Sequence, residues 1–301
     1  MMNHFLEISA LSHQDAIALI KRAIWFKTAR SFPAYTDHPV ALLFYENSTR
    51  TRVSFELAAK HLSMPVVMLD KDTSSESKGE TIEDTVSTLA AMGIKMAVIR
   101  HGSPGLPTHL SEKNVLQIIN AGDGTQAHPS QALLDLMTIY EKKPALNTLK
   151  IAIIGDIRHS RVAHSLSEGY ALFEVQEVVW VAPLLWQPDN VLYGRVTTSL
   201  KEGLVDADVV VCLRVQQERL LKGEDLDLVC FRQEYALTKK TLAYAKRNAL
   251  VMHPGPMNRE VEIDSDVADG PQSVILQQVT NGVFMRMALL EFLIKGSATF
   301  V

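Results

Sequence analysis

"PVALLFYENSTRTRVSFELAAKHL", residues 39–62, changes its hydrophobic pattern partway through. Residues 39–45, "PVALLFY", are a short apolar run of the kind that forms a strand buried on both faces of a parallel sheet. From Thr51 to Leu62 the pattern turns helical. Between the two lies Ser48-Thr49-Arg50-Thr51-Arg52, polar and cationic at the point where strand becomes helix. A helix start leaves backbone N–H groups unpaired and carries partial positive charge, so it attracts anions. Ser48, Thr49 and Thr51 add hydroxyl donors, and Arg50 adds a planar fork that matches phosphate oxygens. The segment reads either as a phosphate cradle or as an ordinary helix cap with solvated arginines.

The same alternation continues on both sides. Apolar runs at 65–70, 95–100 and 115–120 predict further strands, with helices at 51–62, 80–92, 106–111 and from Pro129. A break follows at "EKKPALNTL" (141–149), and strands resume at 150–156, 177–183, 207–213 and 249–256. Short apolar runs alternating with helices predict two parallel-sheet α/β domains. Their expected spans are 1–142 and 143–283. The mostly apolar stretch "NGVFMRMALLEFLIKG" (281–296) is expected to be a helix returning to the first domain, with residues 284–301 belonging there.

The 301 residues are 47% hydrophobic and 21% charged, ordinary for a globular chain. A formal net charge of −4 argues against a general nucleic-acid binder, so any anion site must be built locally. Two cysteines, Cys212 and Cys230, exclude a disulfide framework, and each is expected to be buried in its apolar run. The N-terminus lacks the order of a signal peptide, and no apolar run reaches the ~20 residues of a membrane span. A cytoplasmic chain is expected, with neither metal nor cofactor.

Ligands of open parallel sheets bind beyond the carboxyl ends of the strands. Four further constellations fall at such ends. Arg100 closes the strand "KMAVIR". His128 precedes a helix opened by Pro129, with Gln131 in its first turn. "GDIRHSRVAHSL" (155–166) has one glycine, so it carries no dinucleotide fingerprint. It brings Arg158 and Arg161 to a helix start, while His159 and His164 read as loop and helix-surface residues. Arg214 and Gln216 directly follow the strand ending "VVVCL", on one side if extended geometry persists. "HPGP" (253–256) completes this set: Pro254 and Pro256 lack N–H groups, so the loop around Gly255 offers carbonyl acceptors to an NH2 group. Apart from these, the polar loop "DTSSESKGETIEDT" (72–85) carries Ser74 and Lys78 and reads as solvated or as a closing flap.

Taken together, "STRTR", "HPSQ", "SKGE", "RVQ" and "HPGP" resemble the aspartate carbamoyltransferases within the aspartate/ornithine carbamoyltransferase family, from about residue 3 to the C-terminus. The resemblance implies transfer of a carbamoyl group from carbamoyl phosphate to L-aspartate in pyrimidine biosynthesis, at an active site between the two domains. Ser48, Thr49, Arg50, Thr51 and Arg100 would hold the phosphate. Thr51, Arg100 and His128 would polarise the carbamoyl oxygen, and Gln131 with Gly255 and Pro256 would hold its NH2. Arg161 would meet the aspartate α-carboxylate, and Arg214 with Gln216 the side-chain carboxylate. Ser74 and Lys78 would reach the site from an adjacent subunit, implying a homotrimer, with room for assembly with regulatory or dihydroorotase-type chains. Glu260 stands where glycine is frequent in the family.

Overall fold

The computed structural model describes residues 4–70, 79–188, 193–216 and 227–296. The chain divides into two compact units, Met1–Met137 with Val279–Val301, and Thr138–Gln278.

The first unit holds β1 (Val40–Phe44), β2 (Val66–Asp70), β3 (Met96–His101) and β4 (Gln117–Asp123), all paired parallel in the order β2-β1-β3-β4. With them run α1 (His13–Thr28), α2 (Thr49–His61), α3 (Ile82–Ala91), α4 (Leu106–Glu112) and the start of α5 (Pro129–Lys142). All five residues of β1 are buried, which is why its sequence is uninterrupted apolar. On α2 the buried residues are Thr51, Ser54, Phe55, Ala58 and Ala59, one face at helical spacing. Lys60 and His61 occupy its last turn, where cations suit the helix dipole. After β1 the chain steps outward to β2, then crosses back to β3 on the other side. Strand order therefore reverses between β1 and β3, where Phe44 lies in register with Arg100. Such a reversal opens a crevice beyond the carboxyl ends.

The second unit repeats the scheme with five parallel strands. These are β5 (Lys150–Gly155), β6 (Glu177–Val181), β7 (Arg195–Thr197), β8 (Val209–Leu213) and β9 (Leu250–Met252), in the order β7-β6-β5-β8-β9. Its helices are α6 (Arg161–Leu172), α7 (Leu200–Leu204), α8 (Leu228–Tyr235), α9 (Lys239–Leu242) and α10 (Ser265–Ala268). The reversal here lies between β5 and β8, where Gly155 pairs with Leu213. Gly155 has φ +126°, and a Cβ there would sit 2.4 Å from the Leu213 carbonyl oxygen, so only glycine fits.

Helix α11 (Ile275–Lys295) ends the described chain. Within the first unit, Glu291 of α11 accepts two hydrogen bonds from Arg22 of α1, at 2.5 and 2.8 Å, and one from Tyr35 at 2.7 Å. Gln117 of β4 donates to the Leu293 carbonyl.

One expectation needs correction. Cys212 is buried, but Cys230 is exposed. Helix α8 buries Phe231 and Tyr235, one turn apart, and Cys230 falls off that stripe. His159 lies in the turn between β5 and α6 as expected, and there it is buried, with Nδ1 2.7 Å from Asp156. Glu260 adopts φ +63°, a left-handed conformation that favours glycine. Its side chain accepts the Ser265 N–H at 2.9 Å and meets Arg232 at 3.2 Å, contacts that help hold the residue there.

Candidate active site

In the first unit the β1–β3 reversal brings α2 and the end of β3 to one rim. Ser48 is the extended N-cap of α2, and its side chain makes no capping bond. The hydroxyl is therefore not used in the ordinary capping role. Ser54 Oγ donates to the carbonyl oxygens of Arg50 and Thr51, at 2.5 and 3.0 Å, and pins the turn behind them. Thr49 and Arg50 are exposed, whereas Thr51 is only 4% exposed and turns inward to His128, with Oγ1 and Nε2 3.3 Å apart. Arg100 keeps 13% of its side-chain surface, and its Nε lies 3.4 Å from Glu46 Oε2.

His128 stands at the N-terminus of α5, its carbonyl accepting the N–H groups of Gln131 and Ala132. Gln131 donates its amide NH2 to Asp135 Oδ1 at 2.9 Å, which leaves Oε1 as the acceptor of that side chain. Asp135 and Arg286 are both buried. Burial brings the Arg286 guanidinium down to about 9, opposed by the Asp135 charge, and the guanidinium also lies over the Phe55 ring of α2. Glu46, Asp135 and Arg286 were missed by sequence reasoning. Asp135 was findable, because it follows Gln131 by one helical turn in "HPSQALLD".

In the second unit Arg161 is the first residue of α6, behind the cap Ser160, and is 6% exposed. Asp156 follows β5 and links three parts of this rim. Its Oδ1 accepts the backbone N–H and ring Nδ1–H of His159, and its Oδ2 accepts the Gln216 N–H at 3.3 Å. Burial pushes the Asp156 carboxyl up, and the neighbouring His159 works against that. Gln216 Nε2 donates to the His159 carbonyl at 2.9 Å. Val215 is buried while Arg214 and Gln216 on either side are partly exposed, the alternation of an extended segment. Arg158 donates its backbone N–H to the Trp186 carbonyl and its guanidinium to the Leu185 carbonyl. Gly255 and Pro256 lie just past β9, Pro256 exposed.

Ser74 and Lys78 fall outside the described residues. Among the described residues, no three of His, Cys, Asp and Glu form a metal-binding group. None of the described helices is long and apolar enough to cross a membrane.

Two family models match the chain. That of the aspartate/ornithine carbamoyltransferase carbamoyl-P binding domain covers residues 3–141, and that of the Asp/Orn binding domain covers residues 147–293. The aspartate carbamoyltransferase catalytic subunit of Legionella pneumophila (strain Corby) is 60% identical over 295 residues, 97% of this chain and 99% of that protein. Among solved structures, aspartate transcarbamoylase from Trypanosoma cruzi in complex with carbamoyl aspartate and phosphate superposes with a TM-score of 0.87 at 29% identity. That match covers 96% of this chain and 94% of the other. The same enzyme in complex with N-(phosphonacetyl)-L-aspartic acid gives 0.86 at 29% identity, with the same coverage.

Proposed function

The chain belongs to the aspartate/ornithine carbamoyltransferase family, and from that premise we propose that it transfers the carbamoyl group of carbamoyl phosphate to L-aspartate. The products are N-carbamoyl-L-aspartate and phosphate. The amine nitrogen attacks the carbonyl carbon, the bond from that carbon to the phosphate oxygen breaks, and the amine proton passes to the departing phosphate. Negative charge grows on the carbonyl oxygen and on the leaving group. Donors fixed around both lower the barrier by favouring the transition state over the ground state.

We assign Ser48, Thr49, Arg50, Thr51 and Arg100 to the phosphate, and Thr51, Arg100 and His128 to the carbonyl oxygen. Gln131 and the Gly255–Pro256 carbonyls accept from the carbamoyl NH2. Arg161 takes the α-carboxylate of aspartate, and Arg214 with Gln216 its side-chain carboxylate. The observation that carries the reading is the buried approach of Thr51 Oγ1 to His128 Nε2, 3.3 Å apart beside an uncapped helix start. A hydroxyl and an imidazole from separate elements, each of which can donate to an oxygen, converge there. Arg214 would repel a cationic side chain, so aspartate is favoured over ornithine.

The proposal extends to a cytoplasmic homotrimer serving de novo pyrimidine biosynthesis, with Ser74 and Lys78 supplied by an adjacent subunit. By its two ends, N-(phosphonacetyl)-L-aspartic acid should engage both the phosphate and the aspartate residues. The decisive assay offers the purified chain carbamoyl phosphate with either L-aspartate or L-ornithine. Release of N-carbamoyl-L-aspartate and phosphate, with little or no citrulline, is expected. Turnover with ornithine alone, or with neither, would overturn the reading.

A further inference from the structure

In the segment following β9, "HPGPMNREVE" (253–262), the buried Glu262 carboxylate anchors two points, His253 and Asn258. The His253 side chain is fully buried, and its Nδ1 accepts the Gly255 N–H at 2.9 Å. That acceptor role places the ring proton on Nε2, which donates to Glu262 Oε1 at 3.1 Å. The same Oε1 accepts the Asn258 N–H at 2.6 Å. The Asn258 side chain reaches on to the Val215 carbonyl at 3.2 Å, between Arg214 and Gln216. The His253 N–H itself is held by Gln278 Oε1 at 2.9 Å.

Between the two anchors, Pro254 and Pro256 carry no N–H, and that of Gly255 is engaged by the imidazole. Residues 254–256 therefore offer no spare N–H but only carbonyl oxygens, the acceptors an NH2 group requires. Glu262 is 0% exposed. A buried carboxylate held by an imidazole N–H and a backbone N–H costs desolvation to bury, and its satisfied hydrogen bonds fix the geometry of the groups that make them. Burial pushes the Cys212 thiol up, and the Glu262 charge adds to it in the same direction.

We propose that Glu262 is a positioning residue: acting through His253 and Asn258, it aims the Gly255–Pro256 carbonyls at the carbamoyl NH2. The inference rests on the proposed function and adds to it a residue that touches no substrate. Its signature is selectivity. Inorganic phosphate lacks the NH2 group, so only carbamoyl phosphate senses the aim of the loop.

The test compares the full chain with Glu262→Ala and Glu262→Gln, measuring equilibrium affinities for carbamoyl phosphate and inorganic phosphate. Glu262→Ala should weaken carbamoyl phosphate at least about tenfold, as displaced contacts do, and leave phosphate unchanged. Glu262→Gln keeps an acceptor oxygen for both N–H donors and should restore most of the loss. Where Glu262→Ala does not fold, His253→Gln serves, since its amide keeps a donor toward Glu262 while its oxygen lies one bond farther out than the Nδ1 that accepts from Gly255. It should show the same selective loss. A folded Glu262→Ala or His253→Gln chain with the wild-type ratio of the two affinities overturns the positioning role. So does a Glu262→Gln chain no better than Glu262→Ala. A wild-type chain that does not turn over carbamoyl phosphate would instead overturn the function on which the inference rests.

Discussion

Arg50 and Thr51 are adjacent yet differ in exposure, because successive residues of a helix point about 100° apart. Thr51 turns in to His128, and Arg50 stays at the open rim of the helix start. An exposed arginine there contributes little to folding, so its removal isolates its effect on the reaction. Arg50→Ala should lower kcat by at least ~100-fold, the scale of losing one charge-stabilising donor, with thermal unfolding unchanged. Steady-state kinetics beside a melting curve checks both halves, and near-normal turnover would remove Arg50 from the phosphate group. The candidate residues that were legible in the sequence are polar groups at strand ends, where folding alone does not require them. Arg286 and Glu262 were not legible, because the meaning of a buried charge depends on a partner that sequence does not name, whereas Asp135 could have been read from its place one turn after Gln131.

At the scale of elements, α11 is tied to α1 through Glu291. Burial works against the charge of this carboxyl. The hydrogen bonds from Arg22, Tyr35 and Lys295, aided by the Arg22 charge, outweigh burial and hold it below its ordinary value of 4.5. A carboxyl depressed in the folded state stabilises the fold above its unfolded value, and that contribution fades as pH falls through the folded one. Glu291→Ala should cost about 3 kcal/mol at neutral pH, since it strands a partly buried arginine. Urea unfolding against pH should show the gap between the two proteins narrowing as the solution is acidified below 4.5. A gap independent of pH would mean that packing, not charge, ties the helices. Strands such as β1 and β5 were legible because burial on both faces demands continuous apolar residues. Strand β7 has three residues, none of them fully buried, and leaves no comparable trace.

For the whole molecule, each unit places candidate residues beyond the carboxyl ends of its own parallel strands, and the proposed reaction would call on both sets. The shared-site proposal predicts that mixing inactive Lys78→Ala and inactive His128→Ala chains restores activity. Random assemblies would then contain sites with one intact copy of each residue. Verified hybrids at the background rate would reject sharing between subunits. The claim that both units serve one substrate pair is tested most directly by calorimetric titration with N-(phosphonacetyl)-L-aspartic acid and with inorganic phosphate. Wild type, Arg50→Ala and Arg214→Ala chains are compared. Both variants should lose at least about tenfold in affinity for the bisubstrate ligand, the scale of a charge-assisted contact, while only Arg50→Ala loses phosphate. If Arg214→Ala binds the bisubstrate ligand as tightly as wild type does, the aspartate site lies elsewhere and the account fails.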